Sequence, residues 1–395
     1  MTTPPTLRRL ILFDAVIRAG SAGAAAQAIG LSQPAVTHAL HKLEGEVGAR
    51  LLDRGPGGSQ PTRAGRLLHR RVERLLQQVE RGVRELGSAA SPRGLTTPQL
   101  AAHLAIARRG SFRAAARELG VAEPSLHRVA RDLETAIGMP LYRRTPQGFA
   151  ATPAGLRFAG RLRLALYEID QALDELEAER DATGGRVSAG CLPLMPKPVL
   201  ARTVAALLRE YPAVRVELDE APHEALMARL RGGELDVLVG ALRDPRLGGD
   251  VVERPLFGDP HVVAARAGHP LTGEVAPDEA DLARFPWVAP PAGTPRRAFV
   301  EELFARLPVR PRIVAETGSL TLMTAILAES DCLTLLAGSQ ARHELRGALV
   351  TLPVRLDSRP RLVGTTIRSG WLPTRVQRRF LTLLRQECRR VTDGA

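Results

Sequence analysis

Residues 20–65 and 110–155 are one segment written twice. At a fixed offset of 90, without a gap, 17 of 46 aligned positions are identical, among them Gly30/Gly120, Pro34/Pro124, Leu43/Leu133, Glu44/Glu134, Arg54/Arg144 and Gly65/Gly155. Other pairs are apolar exchanges, such as Ile29/Leu119 and Val36/Leu126. A period of about 90 is too long for a solenoid unit, so the repeat reads as a duplicated domain. A chain of 395 residues has room for both copies and a larger third part.

Within each copy the spacing is that of three short helices. Leu7, Leu10, Ile11, Ala15 and Val16 recur at helical intervals until Gly20 stops them. Ser21 caps a second helix with a small face of Ala24, Ala25 and Ala28, and Gly30 ends it in a left-handed turn. Ser32 caps a third helix with Pro34 in its first turn, where a missing N–H is harmless. Val36, Leu40, Leu43 and Val47 seat that helix on the core, leaving Gln33, Thr37, His38, His41 and Lys42 outward. This order predicts a helix-turn-helix whose second helix enters a DNA major groove.

A Gly/Pro-rich excursion, LLDRGPGGSQPTRAGR, follows and reads as a wing with Arg54 and Arg63 placed for phosphates. A long helix from about Thr62 to Leu86 then carries Leu67, Leu68, Val72, Leu75, Leu76, Val79 and Val83 in one stripe. A bare apolar stripe needs a partner, and a second copy of the helix is the simplest one. Charge agrees with a polyanionic partner: residues 1–93 hold 14 Arg and Lys against 7 Asp and Glu, whereas residues 94–180 hold 12 against 10.

The run AAQAIGLSQPAVTHALHKLEGEVGARLLDR followed by TRAG resembles the winged helix-turn-helix of the LysR-type transcriptional regulators. The resemblance covers residues 6–87, again 98–180, and more loosely 185–391. It implies a multidomain chain: two tandem all-α winged helix-turn-helix domains with long linker helices, at 1–93 and 94–183, then an α/β, two-lobed, periplasmic-binding-protein-like effector domain at 184–395. It also implies DNA contacts from Ser32, Gln33, Pro34, Thr37, His38, His41, Lys42, Arg54 and Arg63. In the second copy the matching contacts are Ser125, His127, Arg128, Arg131, Arg143 and Arg144.

From Gly185 onward strands alternate with helices. GRVSAG, VRVELD and LDVLVG read as strands, with helices at Pro198–Glu210 and His223–Arg231. FPWVAP, PRIVAE and CLTLLA continue the rhythm, interleaved with TPRRAFVEELFARL and SLTLMTAILAES, and the chain closes with strand Val363–Ile367 and helix Pro373–Arg390. Continuous apolar strands predict a buried parallel sheet covered by helices. In such folds ligands lie at strand C-termini, where helix N-termini offer N–H groups. The expected effector-binding positions are therefore Leu192, Pro193 and Leu194, then Ala241 and Arg243, Gly293 and Thr294, and Thr317, Gly318 and Ser319. Each hydroxyl among them has an alternative role as a helix cap.

The copies differ where contact chemistry is concentrated. Ser32 and Gln33 become Ala122 and Glu123, while Thr37, His38 and His41 become His127, Arg128 and Arg131. The second copy is therefore a second DNA reader, a structural copy, or a mask for the first.

No enzyme is expected, because no GxSxG, P-loop, HExxH or HxE with PCxxC occurs. His223, His261, His269 and His343 are scattered and read as ordinary surface or core histidines. Cys191, Cys332 and Cys388 are too few for a disulfide framework and lack metal-ligand spacing, so no metal and no cofactor are expected. The expected partners are double-stranded DNA, an unidentified small-molecule effector, further copies of the chain as dimer or tetramer, and RNA polymerase if the output is activation. No run of about 18 apolar residues occurs, and the start MTTPPTLRRL lacks a signal-peptide core, so a cytoplasmic location without membrane contact is expected. The competing reading is an architectural DNA-binding protein that takes no effector.

Overall fold

The computed structural model describes residues 5–55, 58–146, 148–180, 183–192, 195–243, 249–273, 277–344, 349–356 and 360–393. The chain forms two compact units, Met1–Gly185 with Gly232–Glu234, and Arg186–Arg231 with Leu235–Ala395.

The first unit contains two copies of one arrangement. In the first, α1 (Leu7–Ala19), α2 (Ala22–Ile29) and α3 (Gln33–Val47) precede a hairpin of β1 (Leu52–Gly55) and β2 (Gly58–Pro61), then the long α4 (Arg63–Glu85). In the second, α5 (Thr97–Arg109), α6 (Phe112–Leu119) and α7 (Glu123–Ile137) precede β3 (Tyr142–Thr145), β4 (Gly148–Ala151) and α8 (Pro153–Arg180). Both hairpins are antiparallel. The predicted boundaries hold because the punctuation is steric: Gly20, Gly30, Gly110 and Gly120 all sit at φ between 65° and 75°.

The stripe on α4 meets a second copy of the helix, as the sequence suggested, and that copy lies in the same chain. It packs antiparallel against α8 of the same chain, burying Leu68, Val72, Leu75, Val79 and Val83 with Leu162, Ala165, Ile169, Ala172 and Leu176 in one core. Each leucine, isoleucine or valine among them, fully buried, contributes about 1.5–3 kcal/mol. Arg71, 0% exposed, lies in the middle of this seam. Its Nη1 donates to Glu168 Oε2 and its Nε to Glu175 Oε2, both at 2.9 Å. Arg74 also donates to Glu168, at 2.8 Å. Burial alone would lower the Arg71 guanidinium; Glu175 and Glu168 outweigh it and hold the group above its ordinary value. The acidic end of α8 thus pairs with basic side chains of α4. A duplicated chain supplies the matching helix at far higher effective concentration than a second molecule does.

The two copies are related by an internal two-fold. Arg161 and Glu175 stand 90 residues after Arg71 and Glu85, and Arg161 Nε donates to Glu85 at 3.0 Å, repeating the Arg71–Glu175 pair with the copies exchanged. Near the other end of the axis, the Leu7 N–H donates to the Thr97 hydroxyl at 2.8 Å. Those two residues are also 90 apart, so one position in the second copy caps the helix that begins at the same position in the first.

The second unit has two α/β lobes. The first lobe contains β5 (Gly184–Cys191), α9 (Lys197–Glu210), β6 (Ala213–Glu220), α10 (His223–Arg231), β7 (Val237–Ala241) and β8 (Val251–Asp259). The second contains β9 (His261–Arg266), β10 (Trp287–Ala289), α11 (Pro295–Arg306), β11 (Ile313–Glu316), α12 (Leu320–Ala328), β12 (Thr334–Ala337), α13 (Gly338–Glu344) and β13 (Leu349–Thr351). The chain then returns to the first lobe with β14 (Arg361–Arg368) and α14 (Arg375–Asp393). The sheet orders are β6-β5-β7-β14-β8 and β12-β9-β13, with β10 and β11 paired separately.

The expected all-parallel sheet is corrected here. β5 and β7 are parallel, but β14 runs antiparallel to both β7 and β8. β8 and β14 are the strands that leave and re-enter the first lobe, and they run against each other. β8 escaped the sequence reading because Pro255 interrupts it and much of it is exposed at the sheet edge.

Replacing Arg71 by Ala strands Glu168 and Glu175 in the seam and is expected to cost about 3–5 kcal/mol of stability in equilibrium urea unfolding. His103 gives a second test. Its Nε2–H donates to the Gly155 carbonyl at 2.8 Å and its Nδ1 accepts from Tyr142 Oη at 2.9 Å, so the ring is the neutral tautomer. Burial lowers its pKa from 6.5 to about 4, against the opposing pull of the Gly155 bond. The unfolded chain therefore binds this proton first. The contribution is complete above pH 6.5 and is lost as pH falls from 6.5 to about 4, at up to about 1.4 kcal/mol per pH unit. His103→Phe, which imports the aromatic found at Phe13 in the first copy, is expected to remove that part of the pH slope.

Candidate functional site

The first copy presents a polar helix face at a capped N-terminus. Ser32 Oγ accepts the Ala35 N–H at 3.4 Å, and Pro34 occupies the first turn of α3. Val36, Leu40, Leu43 and Val47 are buried beneath the helix. Ser32, Gln33, Pro34, His38, His41 and Lys42 are exposed, and Thr37 is half-buried beside them. The structure thus gathers these seven positions on one side of α3. His41 Nδ1 lies 3.7 Å from Glu44. Arg54 lies on β1, with its side chain outside the described residues. Arg63, 85% exposed, meets Glu179 at 2.7 Å. A pair so exposed is weak and screened, and a phosphate competes with it readily.

The shared residues of the two copies hold the hairpins to the helices. Glu44 Oε1 accepts the N–H groups of Leu51 and Leu52 at 2.8 and 3.2 Å, and Glu134 Oε1 accepts those of Leu141 and Tyr142 at 2.6 and 3.0 Å. Thr62 and Thr152 cap α4 and α8 by accepting from Gly65 and Gly155. A Cβ at either glycine would collide with the Leu51 or Leu141 carbonyl. The Leu-Glu pair and the Thr-x-Ala-Gly run are therefore the joint that sets each hairpin against α3 or α7.

The second copy keeps the joint and changes the face. Ala122 gives α7 no side-chain cap. Ser125, Arg128, Arg131, Arg143 and Arg144 are exposed. His127 is instead drawn into a ring cluster, stacked on Phe112 at 4.3 Å with Phe149 edge-on at 5.6 Å. Phe112 and Phe149 replace Ala22 and Ser59, so this cluster has no counterpart in the first copy. Glu123 lies 3.9 Å from His127 and 3.8 Å from Arg113, which tempers its repulsion of phosphate.

In the second unit the predicted effector residues are spread over four loops. Leu192 is buried after β5, its N–H donating to Val239 at 3.0 Å; Pro193 and Leu194 lie outside the described residues. Ala241 ends β7, and the Arg243 N–H donates to Glu253 at 3.2 Å. Gly293 and Thr294 line an open cavity of about 410 Å³ with Arg297 and Glu301. Thr294 and Ser319 cap α11 and α12, and Thr317 Oγ1 accepts the Ser319 N–H at 3.1 Å across Gly318. The capping alternative therefore holds for Thr294 and Ser319, whereas Thr317 braces the turn before α12.

Residues 180–389 match the family model described as the LysR substrate binding domain. Residues 7–66 and 97–156 each match the bacterial regulatory helix-turn-helix protein, lysR family. The chain belongs to the LysR family. This LysR-type protein is a DNA-binding transcriptional regulator with an effector-binding domain, not an enzyme. It is 30% identical over 388 residues to the HTH-type transcriptional regulator GalR of Pseudomonas putida, covering 97% of both chains. It is 27% identical over 298 residues to the regulator PcaQ of Agrobacterium fabrum, covering 73% of this chain and 94% of that one. A full-length OxyR variant from Pseudomonas aeruginosa shares the fold at TM-score 0.53 and 21% identity, over 75% of this chain and 95% of that one.

Sequence reasoning missed the residues whose roles depend on distant partners. Arg71 and Glu168 are 97 positions apart, and Arg296, Arg361 and Asp259 of the regulator's second unit come from three separate elements. Asp14, His69 and Glu73 bring potential metal-ligand atoms within 4.8 Å of one another. Arg18 bonds both Asp14, at 2.8 Å, and Glu73, at 3.1 Å, so a guanidinium already neutralises that group. The three cysteines are buried, and burial raises the thiols of Cys191 and Cys388, the latter to about 12, which suppresses thiolate chemistry. Among the described residues no helix is long and apolar enough to cross a membrane.

The cap difference is measurable. Ser32→Ala is expected to lower, and Ala122→Ser to raise, stability by about 1 kcal/mol in urea unfolding, with Ser32→Ala also weakening operator binding.

Proposed function

We propose that a single chain of this regulator presents both DNA readers of a LysR dimer, α3 and α7, on one fused pair of linker helices, and that an effector held between the lobes of residues 184–395 modulates their contacts. The observation that carries this reading is the antiparallel α4–α8 seam, with Arg71–Glu175 and Arg161–Glu85 related by the internal two-fold. In this reading 1–93 and 94–183 are winged reading modules. Ser32, Gln33, Pro34, Thr37, His38, His41, Lys42, Arg54 and Arg63 serve the first half-site, and Ser125, Arg128, Arg131, Arg143 and Arg144 the second. Half-sites about one helical turn apart suit two-fold-related helices.

The two lobes act as a periplasmic-binding-protein-like clamp. Leu192, Ala241, Arg243, Gly293, Thr294, Thr317, Gly318 and Ser319 face the effector, a placement supported by their positions at strand ends and helix N-termini. The regulator works in the cytoplasm. It self-associates through surfaces other than the α4 stripe, and it contacts RNA polymerase where it activates.

Footprinting and operator titration at fixed salt test this. Gln33→Ala with Thr37→Ala is expected to weaken specific binding by roughly 1–3 kcal/mol per lost base contact. Arg128→Ala with Arg131→Ala is expected to shorten the footprint by one half-site. An unchanged footprint would remove α7 as a reader. Indifference of DNA binding to every candidate metabolite would favour an architectural protein without an effector.

A further inference from the structure

Within the first unit, the segment that joins the two copies closes one side of a cavity. The other side is the start of α1, Ile29 at the end of α2, and Leu31 in the turn before α3. The space between them measures about 560 Å³, the size of a small-molecule site.

The joining segment is held in place. Pro92–Gly94 form one 3-10 turn, in which Ser91 Oγ accepts the Arg93 N–H at 3.3 Å and the Leu95 N–H donates to the Pro92 carbonyl at 3.2 Å. Upstream, the Ser88 hydroxyl donates to the Ile137 carbonyl at 2.5 Å; downstream, the Leu7–Thr97 bond ties the segment to α1. The cavity wall is therefore part of the folded first unit and needs no occupant to form it.

The cavity is apolar inside and basic at its margin. Ile11, Leu12 and Leu95 are buried on its walls, and Ile29 and Leu31 are half-buried. Arg8 and Arg93 are exposed, and among the described residues that line the cavity they are the charged ones. The Thr6 hydroxyl, also on the lining, makes no cap bond to α1. These features belong to the first copy alone. At the 90-residue offset Ile11 and Leu12 become Ala101 and Ala102, while Arg8 and Arg93 correspond to Pro98 and Thr3. Leu119 and Val121, the counterparts of Ile29 and Leu31, are 37% and 45% exposed.

Hydrocarbon walls and two guanidinium forks together select a class of occupant. An inorganic anion leaves the apolar walls wet, and a neutral hydrocarbon leaves the cations unused. A molecule with an apolar body and one carboxylate satisfies both. We propose that this cavity binds an amphipathic monocarboxylate, a medium-length alkanoate or arylalkanoate, with its body on Ile11, Leu12, Ile29 and Leu31 and its carboxylate against Arg8 and Arg93. Leu31 directly precedes Ser32, the cap of α3, so the occupant touches the turn that sets the start of that helix. The inference does not rest on the effector reading, since none of these residues is among the positions named between the lobes.

The test uses the full chain labelled at isoleucine δ-methyl groups and titrated with sodium octanoate at constant ionic strength, with octanol and inorganic phosphate as comparisons. Octanoate is expected to shift the Ile11 and Ile29 methyl resonances saturably, and phosphate to leave them unmoved. Octanol, which lacks the carboxylate, is expected to bind about tenfold more weakly. Arg8→Gln with Arg93→Gln is expected to weaken octanoate by about tenfold and leave octanol unchanged, a split that loss of structure would not produce. Gly94→Phe supplies a second variant: a Cβ there meets nothing within 4 Å and the residue has no positive φ, so the chain is expected to fold with the cavity filled and octanoate excluded. Octanoate shifts that spare Ile11 and Ile29, equal affinity for octanoate and octanol, or unchanged octanoate binding in both variants overturns the proposal. A fall in solution mass on Gly94→Phe, with no octanoate response in the unaltered chain, gives the cavity to a second copy and also overturns it.

Discussion

Everything in the first unit depends on Arg71 being buried between two carboxylates of a helix nearly a hundred residues away. An isolated guanidinium in that apolar seam would be strongly unfavourable; Glu168 and Glu175 make it tolerable. Apolar stripes tolerate sliding and helix exchange, whereas a buried ion pair has one geometry. The leucines and valines thus supply most of the binding energy of α4 to α8. The charged trio fixes their register and orientation, and with them the disposition of α3 and α7.

A fused pair differs physically from a dimer of separate chains. In a homodimer every interface residue appears twice, and a substitution alters both halves together. Here the halves change independently, and the seam has already done so. Arg71 is wholly buried, whereas Arg161, its counterpart, is 32% exposed and its partner Glu85 is 42% exposed. Gly82 admits Phe158 so closely that a Cβ would lie 2.8 Å from the ring, while the exchanged positions, both buried in the same core, carry Leu68 and Ala172.

The local parts of this architecture were legible in the sequence because local sterics decide them. Gly30 and Gly120 fix the turns, Ser32 and Thr62 fix helix starts, and the 90-residue offset makes each copy a check on the other. Three features were not legible. The stripe on α4 announced that it needed a partner but not which one, since α8 of the same chain and a helix of another chain present the same pattern. The first lobe's sheet read as parallel because apolar runs carry no sign of direction; Pro255 and the exposed edge hid β8. His261 and Arg296 look ordinary in sequence, and only the folded chain shows that both are buried, on β9 and α11.

The unequal faces of α3 and α7 follow from the same independence. The joint of Glu44 or Glu134 with the hairpin N–H groups, and of Gly65 or Gly155 with a carbonyl, is sterically fixed, so it is kept in both copies. Nothing in the core constrains the outward face. There α3 keeps a cap hydroxyl, an amide and two imidazoles, all suited to bonds with base edges. On α7 the cap is gone, His127 has been taken into a ring cluster, and the exposed face carries Ser125 with the guanidinium forks of Arg128 and Arg131, which suit phosphate and guanine alike. In the proposed reading, two readers held by one seam share their binding free energy, so the first carries sequence discrimination while the second contributes mainly charge-driven affinity, a division that identical subunits cannot adopt.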